Sequence, residues 1–212
     1  MNRMGMIPLG NAVNIGVFSI LTFFLFVLSQ GLLCSLIFFS AIFVHELSHI
    51  FTLKHFGAEI KGVYIYPFGI DICADTHLLS YKKELAVTLA GGFANLICAS
   101  LGSLYLHFYP SETVLFFVLC HFSLGIFNLL PLSILDGGRA VRLILYDKFE
   151  IDTAYYIQLF VDGLSSVLML ILCSFAFIFS DFNLSVLMLT GYSIIAVICL
   201  LCAKKCGQTS AL

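Results

Sequence analysis

Residues 32–54 read LLCSLIFFSAIFVHELSHIFTLK. From Leu32 to Val44 the side chains are apolar or small, and then His45, Glu46, Ser48 and His49 arrive almost together before Lys54 closes the stretch. As a helix rising about 1.5 Å per residue it is about 35 Å long, enough to cross the hydrocarbon core of a bilayer. Ionisable side chains inside a spanning segment are costly unless they are paired or functional. The same stretch therefore sets the fold class, a membrane helix, and marks where chemistry is to be sought.

Working outward, no charged residue or histidine occurs between Met4 and Val44, which leaves room for two spans. Further uncharged stretches run from Leu85 to Leu106, Thr113 to Leu135, Gly163 to Ser180 and Phe182 to Ala203. Six spans are expected: Ala12–Ser29, Leu32–Lys54, Leu85–His107, Thr113–Pro131, Asp162–Ser180 and Phe182–Ala203. Of the 212 residues 61% are hydrophobic and 10% charged, which excludes a water-soluble globule. The ten Lys and Arg against twelve Asp and Glu give a net charge of -2, which says little by itself; nucleic acid is not an expected partner.

The basic residues are placed rather than spread. Arg3 precedes the first span, Lys54, Lys61, Lys82 and Lys83 lie between the second and third, Arg139, Arg142 and Lys148 between the fourth and fifth, and Lys204 and Lys205 after the sixth. All ten fall on one side, which the positive-inside rule makes cytosolic, with both termini there. The expectation is an all-α polytopic protein of the cell membrane, bacterial in character: one domain over residues 1–212, with a catalytic core at about 32–139 and further helices at 12–29, 162–180 and 182–203. The first span reads as a retained anchor, with no soluble appendage elsewhere. The eight cysteines sit mostly inside apolar runs, as small core residues rather than a disulfide scaffold.

Between the second and third spans, Val63, Ile65, Ile70 and Ile72 alternate around Pro67 and Gly69, the pattern of two short strands and a turn. With Tyr64, Tyr66 and Phe68 the segment is too apolar for a solvated loop, so a membrane-associated β-hairpin is expected.

His45-Glu46-Leu47-Ser48-His49 carries the chemistry. At about 100° and 1.5 Å per residue, His45 and His49 stack on one helix face about 6 Å apart, close enough to share one Zn²⁺ while Glu46 reaches an activated water. A catalytic zinc needs a third protein ligand. His55 would lie about 9 Å further along and about 240° round from His49, so it cannot share the metal; it reads as a helix-end histidine. Asp136 is the better candidate, because the topology returns it to the side of His49, though Asp136-Gly137-Gly138 can also be read as a plain turn. Asn95 and Asn128 either hydrogen-bond the substrate strand or oxyanion, or bridge membrane helices.

These motifs together carry a resemblance. His45-Glu46-Leu47-Ser48-His49, Asn128-x-x-Pro131-x-x-x-Leu135-Asp136-Gly137-Gly138, Ala90-Gly91-Gly92-Phe93-Ala94-Asn95 and Tyr66-Pro67-Phe68-Gly69 resemble, in order and spacing, the motifs of the site-2 protease family, the intramembrane zinc metalloproteases of peptidase family M50. Six spans in a short chain are most similar to its sporulation branch, typified by stage IV sporulation protein FB, without that branch's C-terminal regulatory domain. Ser48 stands where the family has Gly, and Gly92 where it has Pro. The resemblance implies that His45, His49 and Asp136 ligate Zn²⁺, that Glu46 is the general base, and that the substrate is a transmembrane or membrane-associated protein cut near the cytosolic face. Such regulated intramembrane proteolysis, in sporulation or sigma-factor activation, brings a membrane inhibitor protein as a further expected partner.

Two rivals belong to other classes. A membrane zinc metalloprotease acting on soluble or lipidated substrates would take a later Glu as third ligand, but Glu84, Glu112 and Glu150 all lie outside the expected spans. A metal transporter would be expected to show internal repeats, and the motif has no second copy. Cys199, Cys202 and Cys206 read as one face of a helix end, Asp162 as an interfacial residue, and His107 and His121 as interface and core histidines.

Overall fold

The computed structural model describes residues 6–8, 13–66, 69–76 and 79–179. It is mostly helical and divides into two compact units, one ending at Asn128 and one beginning at Leu129. The division falls inside the stretch expected as the catalytic core. The expected sixth span, Phe182–Ala203, and the cysteines and lysines at its end lie outside the described residues, as do Pro67 and Phe68.

The first unit runs β1 (Met6–Pro8), β2 (Val13–Gly16), α1 (Val17–Gln30), α2 (Leu32–His55), β3 (Glu59–Tyr66), β4 (Gly69–Asp75), α3 (Tyr81–Phe108) and α4 (Glu112–Asn128). Gly31 alone separates α1 from α2, and its φ of 81° is the conformation that lets one residue reverse the chain. The two helices are then held by aromatic rings: Phe26 stacks on Phe38 at 4.9 Å between centroids, and Phe23 lies 4.9 Å from Phe39.

The hairpin is present but belongs to a larger sheet. The strand order is β1-β2-β3-β4, with β2 parallel to β3 and the other pairs antiparallel. Val63 pairs with Ile72 and Ile65 with Ile70, as the alternation requires. Lys61 falls in the register shift between Ile60 and Gly62, and its Nζ reaches Asp75 Oδ2 at 2.8 Å. The expected first span is corrected here: Val13–Gly16 is a strand pairing Ile15 with Ile65, and the helix starts only at Val17. Apolar β-branched residues suit either structure, so composition could not place that boundary. Ser19 Oγ donates to the Ile65 carbonyl at 3.1 Å and ties the start of α1 to β3.

The core of this unit is where α2, α3 and α4 pack together. The buried face of α2 is Ala41, His45, His49 and Leu53; that of α3 is Val87, Thr88, Gly91, Gly92, Asn95 and Ala99; that of α4 is His121 and Gly125. Close approach depends on small residues, as usual between membrane helices. A Cβ on Gly125 would lie 3.0 Å from the Gly92 carbonyl oxygen, and one on Gly102 2.8 Å from Val118 Cγ2.

The second unit consists, among the described residues, of the irregular segment after Asn128, α5 (Asp136–Lys148) and α6 (Ile151–Phe179). Three expectations are corrected. The fourth apolar helix ends at Asn128, not Pro131; the segment before the fifth contains the amphipathic helix α5; and α6 begins at Ile151, which puts Asp162 inside it.

Leu32–His55, Tyr81–Phe108 and Ile151–Leu172 are long and apolar enough to cross a membrane, and Ser19–Gln30 and Glu112–Asn128 are shorter apolar helices. Their outer faces expose large apolar side chains such as Phe51, Leu101 and Phe160, a surface suited to lipid rather than water.

Candidate metal centre

The helical repeat brings His45 and His49 over one another on α2, their rings 4.8 Å apart between centroids and nearly perpendicular. Both are buried. The two Nε2 atoms face each other at 3.2 Å. Two nitrogens held at about 2.0–2.1 Å by one tetrahedral ion are about 3.3–3.4 Å apart, so the pair already has the spacing of two ligands to one metal.

Proton placement agrees. His49 Nδ1 lies 2.8 Å from the Val87 carbonyl oxygen, which can only accept, so Nδ1 carries the proton and Nε2 presents a lone pair. Main-chain carbonyls commonly orient metal-binding histidines in this way. The opposite wall is Gly91, where a Cβ would sit 2.7 Å from His45 Cε1. Glu46, adjacent to His45, is half-buried. Ser48 Oγ turns back to the Val44 carbonyl at 2.7 Å, satisfying its hydroxyl within α2.

In the second unit Asp136 is the first residue of α5, half-buried and preceded by the buried Leu132 and Leu135. Gly137 and Gly138 are required there by close approach: a Cβ on the first would overlap the Leu129 carbonyl, and one on the second the Leu132 carbonyl. The segment from Leu129 to Leu135 thus lies directly over the first turn of α5.

A model of peptidase family M50 matches residues 106–172. A zinc metalloprotease of Methanocaldococcus jannaschii is 30% identical over 118 residues, 52% of this chain and 34% of that protein. Stage IV sporulation protein FB of Bacillus subtilis is 29% identical over 138 residues, 61% of this chain and 45% of that protein. The matched stretches thus span less than half the length of these relatives. The solved structure of a site-2 protease from Methanocaldococcus jannaschii shares the fold, with a TM-score of 0.61 and 18% identity, over 90% of this chain and 94% of that one.

The chain carries a peptidase family M50 match over residues 106–172 and shares the fold of a site-2 protease.

The remaining sequence-derived residues fall as follows. His55 is exposed in the last turn of α2, its ring against Phe56. Asn128 Nδ2 donates to the Leu124 carbonyl of its own helix at 3.0 Å. Asn95, fully buried, places its amide between His45 Nδ1 at 3.4 Å and His121 Nδ1 at 3.0 Å, and so joins α3 to both α2 and α4.

Asp162, expected as an interfacial residue, is buried within the protein at 3% exposure. Its carboxyl group accepts from Ser133 N–H at 2.9 Å, Ser133 Oγ at 2.5 Å and Gln158 Nε2 at 3.1 Å. Gln158 Nε2 also donates to Ser133 Oγ at 3.0 Å. This cluster pins the segment leading to Asp136 onto α6. Two signals in the sequence pointed to it: Gln158 and Asp162 are spaced one helical turn apart, and an ionisable group stands beside an apolar run.

Proposed function

We propose that the chain is an intramembrane zinc endopeptidase that cuts transmembrane or membrane-associated proteins near the cytosolic face. The observation that carries this is the buried pair of Nε2 atoms 3.2 Å apart, on a helix long and apolar enough to cross a membrane. The ligand set proposed is His45, His49 and Asp136, on the motifs in which they stand. Two imidazoles and a carboxylate suit Zn²⁺ and leave a fourth position open. When bound, zinc supplies Lewis acidity at the scissile carbonyl and brings the pKa of a water towards 7. Glu46 would serve as the general base, taking a proton from the attacking water and giving it to the leaving amine. Asn128, close before Asp136 in sequence, is the candidate to hydrogen-bond the substrate strand or the oxyanion.

A helical substrate keeps its carbonyls hydrogen-bonded, so it must unwind before attack. β3 is paired on both sides, whereas among the described residues β4 has a partner on one side only and is an edge of the sheet. An unwound substrate strand added along β4 would satisfy its freed backbone groups. The distribution of basic residues supports six spans with both termini in the cytosol and the metal close to that face. The likeness to stage IV sporulation protein FB supports a role in sporulation, and the resemblance of the motifs adds regulated intramembrane proteolysis, in sporulation or sigma-factor activation, with a membrane inhibitor protein as partner. Co-expression with candidate single-span substrates, followed by mass spectrometry of the products, tests the reading. Cuts near the cytosolic boundary that disappear in Glu46→Gln support it; cuts on the opposite side, or cleavage unaffected by that change, refute it.

A further inference from the structure

We propose that Asn95 and His121 together hold His45 in the tautomer that a metal requires, which makes His121 a positioning residue for metal capture. The proposal rests on the zinc reading above. His121 and Asn95 are both fully buried, in helices whose other inward-facing residues are mostly small or apolar. Polar groups placed so deep in membrane helices are expensive and generally serve a purpose. Their hydrogen bonds lead to one place: His121 Nδ1 to Asn95, and Asn95 to His45 Nδ1.

A neutral imidazole carries one proton on two nitrogens. For His45 to offer the Nε2 lone pair, its proton must sit on Nδ1 and have an acceptor. His49 meets that need with the Val87 carbonyl at 2.8 Å. Beside His45 Nδ1 stands the Asn95 amide, here with Nδ2 towards His45 at 3.4 Å and Oδ1 towards His121 at 3.0 Å; oxygen and nitrogen exchange places by a half-turn about the last side-chain bond, the turn that metal capture requires. With the oxygen towards His45, Nδ1–H donates to it, Nε2 is open to a metal, and the Asn95 NH₂ donates to His121 Nδ1. With the nitrogen towards His45 the donors run the other way, from His121 through Asn95 and His45 to His49 Nε2. The series is complete in both directions because His121, while neutral, can either donate or accept at Nδ1. The side chain beside a metal ligand can therefore turn with both its contacts kept, while the His121 proton moves from Nδ1 to Nε2. The Nε2 of His121 has no hydrogen-bond partner among the described residues, which leaves Nδ1 as the atom through which this ring acts.

The test uses the full chain purified in detergent, with Zn²⁺ titrated against a chromophoric chelator. His121→Leu keeps the volume and removes the polar atom; His121→Asn puts an amide near the position of Nδ1. The expected result is a zinc affinity about 10–100-fold weaker for the Leu variant, the usual effect of removing a ligand's supporting hydrogen bond, and within about threefold of wild type for the Asn variant. Equal affinity of the Leu variant and wild type overturns the proposal, and so does equal weakening in both variants, which would make the role one of packing. Independent of any variant's folding, ¹⁵N histidine spectra of the zinc-loaded wild type should show His45 protonated on Nδ1 and His121 on Nε2. A proton on His121 Nδ1 in that form overturns the proposal. If wild type takes up no zinc, or His49→Ala binds it equally well, the zinc reading fails and this inference with it. Normal zinc binding with an indifferent His121→Leu sinks only the inference.

Discussion

A methyl group on Gly91 would sit 2.5 Å from His49 Nε2 and 2.8 Å from His45 Nδ1. Neither imidazole can retreat without losing its own hydrogen bonds, to the Val87 carbonyl and to Asn95. Gly91→Ala should therefore cut zinc affinity at least about tenfold, the scale at which disturbed metal ligands respond. Gly163→Ala, where nothing lies within 4 Å, should leave it unchanged, and chelator competition on the two proteins compares them directly. Glu46→Gln behaves differently, because the ligands stay in place and only proton transfer is lost. Elemental analysis should find zinc retained, while cleavage falls by about 10²–10⁴-fold. Activity within tenfold of wild type would take Glu46 out of the mechanism.

Elements are placed by the few side chains that tie them together. The segment from Leu129 to Leu135 is held by Ser133, whose amide and hydroxyl both reach Asp162 of α6. Asp162→Ala leaves the Ser133 amide and Gln158 without that acceptor inside the protein. The expected cost is about 1–3 kcal/mol, read as a lower unfolding temperature in detergent, and Asp162→Asn, which keeps an acceptor oxygen, should lose less. An unchanged unfolding temperature in the Ala variant would show that the cluster does not hold the segment. The edge strand β4 gives a test of another kind. Proline removes a backbone donor, and along an edge strand alternate N–H groups point away from the partner. Prolines placed singly from Ile70 to Ala74 should therefore alternate in effect, with those at outward-pointing positions stopping substrate cleavage while zinc stays bound. Loss of cleavage without that alternation would argue against an added strand.

For the whole molecule, topology and chemistry are linked through the placement of charge. If both termini and the β3–β4 sheet face the cytosol, tags at either end should be accessible only after the inner face is exposed, and Cys73, exposed on β4, should label from the same side. Labelling of Cys73 from the outer face would invert the orientation and move the expected cut to the other boundary.

The histidine pair was legible because its geometry is local. Four residues along a helix always return to one face, so His45 and His49 could be placed together from their spacing, and Leu32–Lys54 as their helix from apolar length alone. The β3–β4 pairing was legible for the same reason, since alternation and a short turn fix the register of neighbouring strands. The rest depended on partners distant in the chain. Val13–Gly16 became a strand because Ile65 was there to pair with, and α5 formed with its apolar residues Ala140 and Leu143 buried. His121 is the core residue that the sequence predicts, but its partner Asn95, like Ser133 beside Asp162, comes from a distant part of the chain. The sequence by itself determined a membrane chain with a two-histidine metal motif, because helix length and helix periodicity need no tertiary information. Only the tertiary structure decided which buried polar groups meet, because hydrogen bonds between helices depend on how the helices pack, and no local pattern encodes that.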